Sequence, residues 1–294
     1  MNIAPENEQE LIAKCLTLED TELKRHNDAS HPLNVLLFLV DNGIIGNSKL
    51  QLLNNHIMKN EFCVKMNIQK AYGGSGEPVN TWMICDLPLT VYISIKLNNS
   101  NISKIHKEFI ELIIRNDKNN GWHCINKGNI GKFRGPGRKD DECPLATLNV
   151  LKMLTLTKET EYLTEKEHGI NALLKLWNDQ KDRKEYLFGM GTDFRKLKYP
   201  MIWFDILNVV NVLSHYKMAI STREFKEMYE IILEKKKDNN YVPESVYQYW
   251  KNYDFGQKKG KSDYINKVMK EIDNRIRLTI ASTMTTRPDT QSAS

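Results

Sequence analysis

The chain has 294 residues, of which 40% are hydrophobic and 27% charged, a composition typical of an ordinary globular domain. Its longest unbroken apolar run, residues 35–40, is too short to cross a bilayer, and its net charge of +5 is mild for a nucleic-acid binder. We therefore expect neither a transmembrane segment nor a nucleic-acid partner. The five cysteines include no C-x-x-C pair, which argues against a disulfide scaffold and favours a cytoplasmic location.

Near the start of the chain, residues 6–28 carry Leu and Ile at helical spacing and predict an amphipathic helix. Ser30 is then expected to cap the next helix, with Pro32 in its first turn. From this point a strongly apolar helix recurs along the chain. The predicted apolar helices open near His31, Cys85, Cys143, Phe204 and Ser262.

The steps between the three clearest copies, at Cys85, Cys143 and Phe204, are 58 and 61 residues. A second, amphipathic helix follows each of the first four apolar helices. These second helices are predicted at residues 46–59, 101–115, 164–179 and 221–236. A fixed period of this length indicates stacked helical hairpins. Because a fully apolar helix must be buried and an amphipathic one buries a single stripe, the first helices should form an inner layer and the second an outer one.

The sequence therefore predicts an all-α fold, an α/α toroid of about five hairpins whose parallel inner helices are wrapped by outer helices. Residues 1–280 should form one domain, and the polar residues 281–294 a flexible C-terminal tail. Long connecting segments lead from each outer helix to the next inner one, and loops of such length in a compact domain are usually functional.

Several segments carry a resemblance to a known family. Asn120-Gly121-Trp122 follows an outer helix, and the chain contains the phrases CPLATLNVLKML, FRKLKYP and DFGQKKGKSDY. Over roughly residues 30–280 the chain resembles the α/α-toroid family of protein prenyltransferase β-subunits and squalene and terpene cyclases. It is most similar to uncharacterised prokaryotic proteins with prenyltransferase repeats. The resemblance implies an isoprenoid-like ligand in a central cavity.

The catalytic motifs of that family are only partly present. The nearest match to the cyclase motif D-x-D-D is Asp140-Asp141-Glu142, whose acids could equally cap the following helix. The prenyltransferase-like zinc motif D-x-C is matched by Asp141 and Cys143. His215 would end the next inner helix, far from the start of the helix at Cys143, so it fits this zinc site poorly.

Asp205 lies one repeat after Cys143 and is the other acid that could take part in chemistry. A zinc site of Asp141, Cys143 and Asp205, with His123 or Cys124, therefore stays open. The alternative is that Cys143 and Cys85 are small buried residues at equivalent helix starts. Asp141 and Asp205 are the catalytic candidates.

Basic residues accumulate in the segments that lead into the inner helices. The candidates are Arg134, Arg138, Lys139, Arg195, Lys198, Lys258 and Lys259. Helix N-termini and cations together favour anions, above all phosphates. These residues could form an anion-binding mouth, or they could simply be solvated loop charges.

The fourth inner helix carries Asp205, Asn208, Asn211 and His215 along one stripe, with Trp203 just before it. The stripe could bond to neighbouring helices or line a cavity together with Trp203. The leading hypothesis is a protein that binds an anionic, amphiphilic small molecule resembling an isoprenoid diphosphate, and that could act as a prenyltransferase or cyclase. The alternatives are a scaffold that binds a protein partner and a carbohydrate-active enzyme.

Overall fold

The computed structural model describes residues 5–68, 76–127 and 141–285. Helices dominate it. In chain order they are α1 (Pro5–Cys15), α2 (Pro32–Asp41), α3 (Ser48–Lys59), α4 (Leu87–Leu97), α5 (Lys104–Ile114), α6 (Pro144–Leu154), α7 (Leu163–Asn178), α8 (Gln180–Arg183), α9 (Ile206–Leu213), α10 (Lys217–Ile220), α11 (Arg223–Leu233) and α12 (Asp263–Thr285). Two three-residue strands, β1 (Val64–Met66) and β2 (Val79–Thr81), pair antiparallel with Val64 opposite Thr81. Within the described ranges, every helix is too short or too polar to span a membrane.

The repeat predicted from the sequence matches the observed helices closely. The apolar helices α2, α4, α6 and α9 pack one on the next in that order, and the more polar helix α12 packs on α9. The amphipathic helices pack on these: α3 and α5 contact α4, α7 contacts α6, and α11 contacts α9. In α6 every residue is buried, including Lys152, as expected for a helix that is apolar nearly all round. The mostly helical fold is therefore confirmed.

The N-terminal helix is shorter than predicted. It ends at Cys15 rather than near residue 28. The following segment turns away because it pairs with β1: Leu23 N–H donates to Lys65 O at 2.8 Å, and Asn67 N–H donates back to Leu23 O at 2.9 Å. The buried Leu23 side chain thus belongs to an extended segment, which helical spacing alone could not distinguish from a helix. The remaining helix α1 packs on α2.

The start of α2 also differs in detail from the prediction. Its N-cap is His31, whose Nδ1 accepts a hydrogen bond from Leu33 N–H at 3.2 Å, and Pro32 occupies the first turn as expected. Ser30 instead donates its hydroxyl to Asp28 Oδ1 at 2.6 Å. The hydroxyl of Ser30 is therefore used in the turn before the helix.

Gly121 and Trp122 join three helices. Trp122 is fully buried, its indole N–H donates to Ile113 O at the end of α5 at 2.8 Å, and its backbone N–H donates to Thr147 Oγ1 in α6 at 3.1 Å. Gly121 has φ of +94°, and a Cβ there would lie 2.8 Å from Thr147 Oγ1 and 3.0 Å from Cβ of Ala172 in α7. A glycine is required because both the backbone conformation and the close packing exclude a side chain.

An aromatic cluster connects the first inner helix with the last. Phe38 of α2 has its ring centroid 4.5 Å from that of Trp250, 5.6 Å from Phe255 and 5.7 Å from Tyr264 of α12. Tyr199 packs on Phe38 and Phe255 in the same cluster. Aromatic pairs at these spacings add to the gain from burial. The cluster brings the two ends of the helical series together.

The C-terminal helix is longer than expected. Helix α12 continues to Thr285, five residues into the segment 281–294 that the sequence predicts as a tail. Residues 286–294 lie outside the described part of the chain. Because of its length, α12 contributes side chains to the cavity described below along several turns.

Candidate ligand-binding site

Five helices enclose a cavity of about 340 Å³. Asp41 at the end of α2, Lys96 near the end of α4, Thr155 after α6 and Val212 near the end of α9 all line it. The C-terminal ends of four apolar helices therefore meet at one place, and α12 closes it with a face that includes Tyr264, Lys267, Val268, Glu271 and Arg275. The lining includes four Lys or Arg side chains, at 96, 152, 267 and 275, and two acids, at 41 and 271.

The charges of Asp41 and Lys152 in the cavity compensate each other. Lys152 Nζ lies 2.6 Å from Asp41 Oδ2, and the Tyr92 hydroxyl donates to Asp41 Oδ1 at 2.8 Å. Lys152 also lies 5.1 Å above the centre of the Tyr92 ring. Burial, and then the charge of Asp41, raise the pKa of Tyr92 well above its ordinary value, so its phenol stays protonated as a donor. Both carboxylate oxygens of Asp41 have partners, and this pair contributes little net charge.

Arg275 differs because its observed partners are neutral. Its Nε donates to Ser214 Oγ at 2.9 Å, and its Nη2 donates to Asn211 Oδ1 at 2.6 Å. The residue is half-buried, and burial lowers the pKa of its guanidinium while Glu271 opposes the shift. Among the residues that the structure describes, no carboxylate forms an ion pair with Arg275. Apart from the more distant charge of Glu271, the described residues leave this half-buried cation without a carboxylate partner.

His215 indicates the sign of the electrostatic potential in the cavity. Burial lowers its pKa, and the nearby charges of Arg275 and Lys152 lower it further, although the residue keeps solvent-exposed surface. The ring is therefore neutral at pH 7 and can donate or accept a hydrogen bond. With His215 neutral, the charges that line the cavity sum to +2. The potential in the cavity suits an anion.

A second depression adjoins the cavity. This cleft has a volume of about 500 Å³ and shares Thr155, His215 and Arg275 with the cavity. Its walls carry Leu163, Met218 and Leu278, whose exposed fractions are 60%, 43% and 71%. Apolar side chains this exposed and this close together are unusual on a folded surface and often mark a binding site. Arg275 therefore lies where a positively charged cavity meets an apolar cleft.

The polar stripe predicted on the fourth apolar helix is divided between two environments. Asn211 and His215 line the cavity. Asp205 and Asn208 are buried at the other end of α9, where Asp205 Oδ1 caps the helix by accepting from Asn208 N–H at 3.1 Å. Asn208 Nδ2 donates to the backbone oxygen of Trp203 at 2.8 Å.

Asp205 is the most strongly perturbed acid outside the cavity. Burial raises its pKa to about 7, although the backbone N–H of Asn208 and the charge of Lys198 oppose the shift. Its Oδ2, like the nearby Tyr247 hydroxyl and Asn208 Oδ1, has no hydrogen-bond partner within the described ranges. This geometry makes Asp205 a helix cap with one unpaired oxygen.

The four described basic residues that were predicted to form a mouth, Arg195, Lys198, Lys258 and Lys259, do not line the cavity. Arg195 donates to Gly189 O at 3.1 Å and to Gln180 Oε1 at 3.2 Å, and it lies over the Trp177 ring. Lys198 Nζ is 4.2 Å from the centre of the Tyr247 ring, while Lys258 and Lys259 are exposed. Arg134, Arg138, Lys139 and Asp140 lie outside the described residues. Of the described residues predicted to bind ligand, Asn211 lines the cavity.

The predicted zinc ligands are placed as follows. Asp141 is half-buried and takes part in an electrostatic or hydrogen-bonding interaction. Cys143 is the N-cap residue of α6, and its Sγ lies 3.6 Å from Sγ of Cys85. Asp205 is surrounded by Lys198, Asp193 and Tyr247. Over residues 5–68, 76–127 and 141–285, no three His, Cys, Asp or Glu side chains are arranged to hold a metal ion.

The cavity residues that sequence reasoning missed did leave a signal. Lys152 is the single charge in an otherwise apolar helix, and Asp41 ends another such helix. On α12, residues 264, 267, 268, 271 and 275 follow helical spacing and define one face. A search for lone charges in apolar helices would have identified Asp41 and Lys152.

We compared the chain with known protein families, curated proteins and solved structures. No protein-family model, no curated protein and no solved structure matches this chain.

Proposed function

We propose that the protein binds a small anionic amphiphile, of the isoprenoid diphosphate class, with its anionic group in the cavity and its apolar chain along the cleft. The single observation that carries this proposal is the position of Arg275, whose charge lies at the junction of the two depressions. A diphosphate would give the guanidinium the ion-pair partner that it lacks among residues 5–68, 76–127 and 141–285.

The same arrangement supports the finer fold assignment. We propose an α/α toroid, because the C-terminal ends of four apolar helices and the side of a fifth line one cavity, with amphipathic helices packed outside. The aromatic contacts of Phe38 with Tyr264 support closure between the first and last inner helices. The ligand would then enter beside the C-terminal ends of the inner helices, where His215 and Glu271 are exposed.

Zinc or a catalytic acid is not needed for this binding role. Neither Asp141 nor Asp205 lines the cavity or the cleft. The cavity acid Asp41 already has partners on both oxygens, so a pair of carboxylates acting on a glycan finds no support there. We therefore propose binding, and we leave transfer or cyclisation out of the proposal.

A titration with three probes tests the proposal. Farnesyl diphosphate should bind more tightly than inorganic diphosphate, which lacks the chain, and than farnesol, which lacks the charge. Arg275→Met keeps the length of the side chain and removes its charge. It should lower the affinity for both diphosphates about tenfold to a hundredfold, because a hydrogen bond to a charged group contributes ~1.5–3 kcal/mol.

Arg277→Met is the matched control, because Arg277 lies two residues further along α12, is exposed and lines neither depression. Leu278→Gln removes apolar surface without adding a charge, so it should weaken the binding of farnesyl diphosphate and leave that of inorganic diphosphate unaffected. Equal binding of farnesol and farnesyl diphosphate, or equal effects of the two arginine substitutions, would contradict the proposal.

A protein-binding scaffold is the second candidate, and the exposed side chains of Leu163, Met218 and Leu278 favour it. The two candidates separate in the same titration. A scaffold predicts that none of the three probes binds, and that Leu278→Glu abolishes association with a protein partner.

A further inference from the structure

Three cysteines from distant parts of the sequence meet at the start of two apolar helices. Cys85 lies just before α4, and Cys143 is the N-cap of α6. Their sulfurs are 3.6 Å apart, and both residues are buried. A disulfide bond needs about 2.0 Å between its sulfurs, so small side-chain rotations would bring these two into bonding distance.

Cys124 lies on the other side of Cys85. Met83 and Asn126 form an antiparallel bridge, and Ile84 N–H donates to Ile125 O at 2.9 Å. This bridge brings the segment that holds Cys124 next to the turn at Cys85, and the side chains of Cys85 and Cys124 are hydrogen-bonded. Cys85 therefore has two thiol neighbours, and we call Cys85, Cys124 and Cys143 the thiol cluster.

Access to the thiol cluster is uneven. Cys124 is half-buried, whereas Cys85 and Cys143 are buried. A small oxidant in solvent would therefore meet the sulfur of Cys124 first. Cys85 can then react with it without leaving the core, because the two are already in contact.

The electrostatics within the thiol cluster also differ between its members. The hydrogen bond from Cys85, together with the backbone N–H of Ala146 at the start of α6, lowers the pKa of Cys143 despite burial. Hydrogen bonds with Cys124 and Cys143, and then burial, raise the pKa of Cys85. The pKa of Cys143 is thus lowered where that of Cys85 is raised.

We propose that Cys85, Cys124 and Cys143 form a redox-active thiol site that hydrogen peroxide oxidises to an internal disulfide. In the first step the Cys124 sulfur attacks the peroxide O–O bond, giving a sulfenic acid and one water. In the second, the Cys85 sulfur displaces the sulfenic hydroxyl as water and forms the Cys85–Cys124 disulfide. Two thiols and one peroxide thus give one disulfide and two waters.

The position of Cys143 allows a further exchange. Its thiolate can attack the Cys85 sulfur, which forms a Cys85–Cys143 disulfide and releases Cys124 as thiolate. The accessible cysteine is then regenerated, and the oxidised pair is buried. Cys85 is therefore common to both disulfides.

Peptide mapping of the full chain after graded hydrogen peroxide tests the proposal. We expect a disulfide that contains Cys85 in every case, joined to Cys124 or Cys143, at peroxide levels where Cys15 and Cys63 remain unpaired. Cys63 is the matched control, because it is half-buried like Cys124 but has no thiol contact within the described ranges. Cys63→Ser should leave the yield of the disulfide unchanged.

Cys85→Ser should stop the reaction at the sulfenic acid of Cys124, which dimedone would trap. The wild-type mapping does not depend on the folding of any variant. The proposal would be overturned if no disulfide containing Cys85 forms in the wild-type protein, or if Cys63 is oxidised while Cys124 is not.

Discussion

Asn211 Oδ1 accepts a hydrogen bond of 2.6 Å from Nη2 of Arg275, 64 residues later in the chain. The contact joins the last apolar turn of α9 to the middle of α12 and holds the guanidinium at the junction of the cavity and the cleft. Because Asn211 is neutral, it orients Arg275 without compensating its charge.

The first prediction follows from the neutrality of this contact. Asn211→Asp places a carboxylate against the guanidinium and should lower the affinity for inorganic diphosphate by at least tenfold, because the cation then has an internal partner. Asn211→Ala, which removes the orienting acceptor and adds no charge, should have a smaller effect. Calorimetric titration of the folded variants measures both.

The chain provides a matched surface control for this substitution. Arg223 Nη2 donates to Asn178 Oδ1 at 2.7 Å, in the same kind of contact but at exposed residues away from the cavity. Asn178→Asp should leave diphosphate affinity unchanged. A loss of affinity as large as that of Asn211→Asp would show that net charge, rather than the cavity, governs binding.

The second prediction concerns the buried pair of Asp41 and Lys152. Lys152→Met leaves a buried carboxylate without its cation and should lower the free energy of unfolding by about 3–5 kcal/mol. Adding Asp41→Asn should recover part of that loss, because no unpaired charge then remains. Urea denaturation of the two single variants and the double variant measures the coupling.

The exposed pair of Lys217 and Glu159, 3.1 Å apart, is the control. Lys217→Met should change stability by less than about 1 kcal/mol. Additive effects of Lys152→Met and Asp41→Asn would mean that the two side chains do not stabilise each other.

The apolar helices could be predicted from the sequence because most residues of α2, α4, α6 and α9 are apolar and nearly all of them are buried. The bounds of α6, Pro144–Leu154, agree with the predicted phrase that opens at Cys143. The failure at residues 16–28 has a physical cause. Leu18 and Leu23 are buried like Leu11 and Ile12 of α1, but the backbone N–H of Leu23 bonds to β1. Periodicity reports burial and does not reveal where backbone hydrogen bonds go.

The site was harder to predict because its charges are separated along the chain. Arg275 and Glu271 belong to a helix whose charges could equally lie away from any cavity, and only the packing of α12 against α9 places them at its wall. Basic loop residues such as Lys258 gave a stronger signal in the sequence, yet Lys258 is exposed and apart from the cavity. Charge density along a segment does not determine which charges share a cavity.

The third prediction tests the junction at Gly121. Gly121→Ala should lower the free energy of unfolding by about 2–4 kcal/mol, since it combines a left-handed backbone conformation with a Cβ 2.8 Å from Thr147 Oγ1. Gly43→Ala separates the two causes, because Gly43 has φ of +83° and open space around its Cβ position. The free energy of unfolding of the Gly43→Ala variant should fall by only about 1–2 kcal/mol. Equal losses in urea denaturation would mean that crowding against α6 contributes nothing.

The fourth prediction is a pH dependence of stability that arises from Asp205. Its pKa is about 7 in the folded protein and ~3.9 in an unfolded chain. Between these values the folded state holds a proton that the unfolded state has released, so raising the pH from 4 to 7 favours unfolding through this group, on the order of 4 kcal/mol in total. Above pH 7 the contribution is constant.

Asp205→Asn keeps a capping oxygen for Asn208 N–H and cannot ionise. The variant should therefore be more stable than the wild type near pH 7, and the difference should disappear near pH 4. Urea denaturation of both proteins across this range measures the difference, and a difference that stays constant with pH would contradict the raised pKa of Asp205.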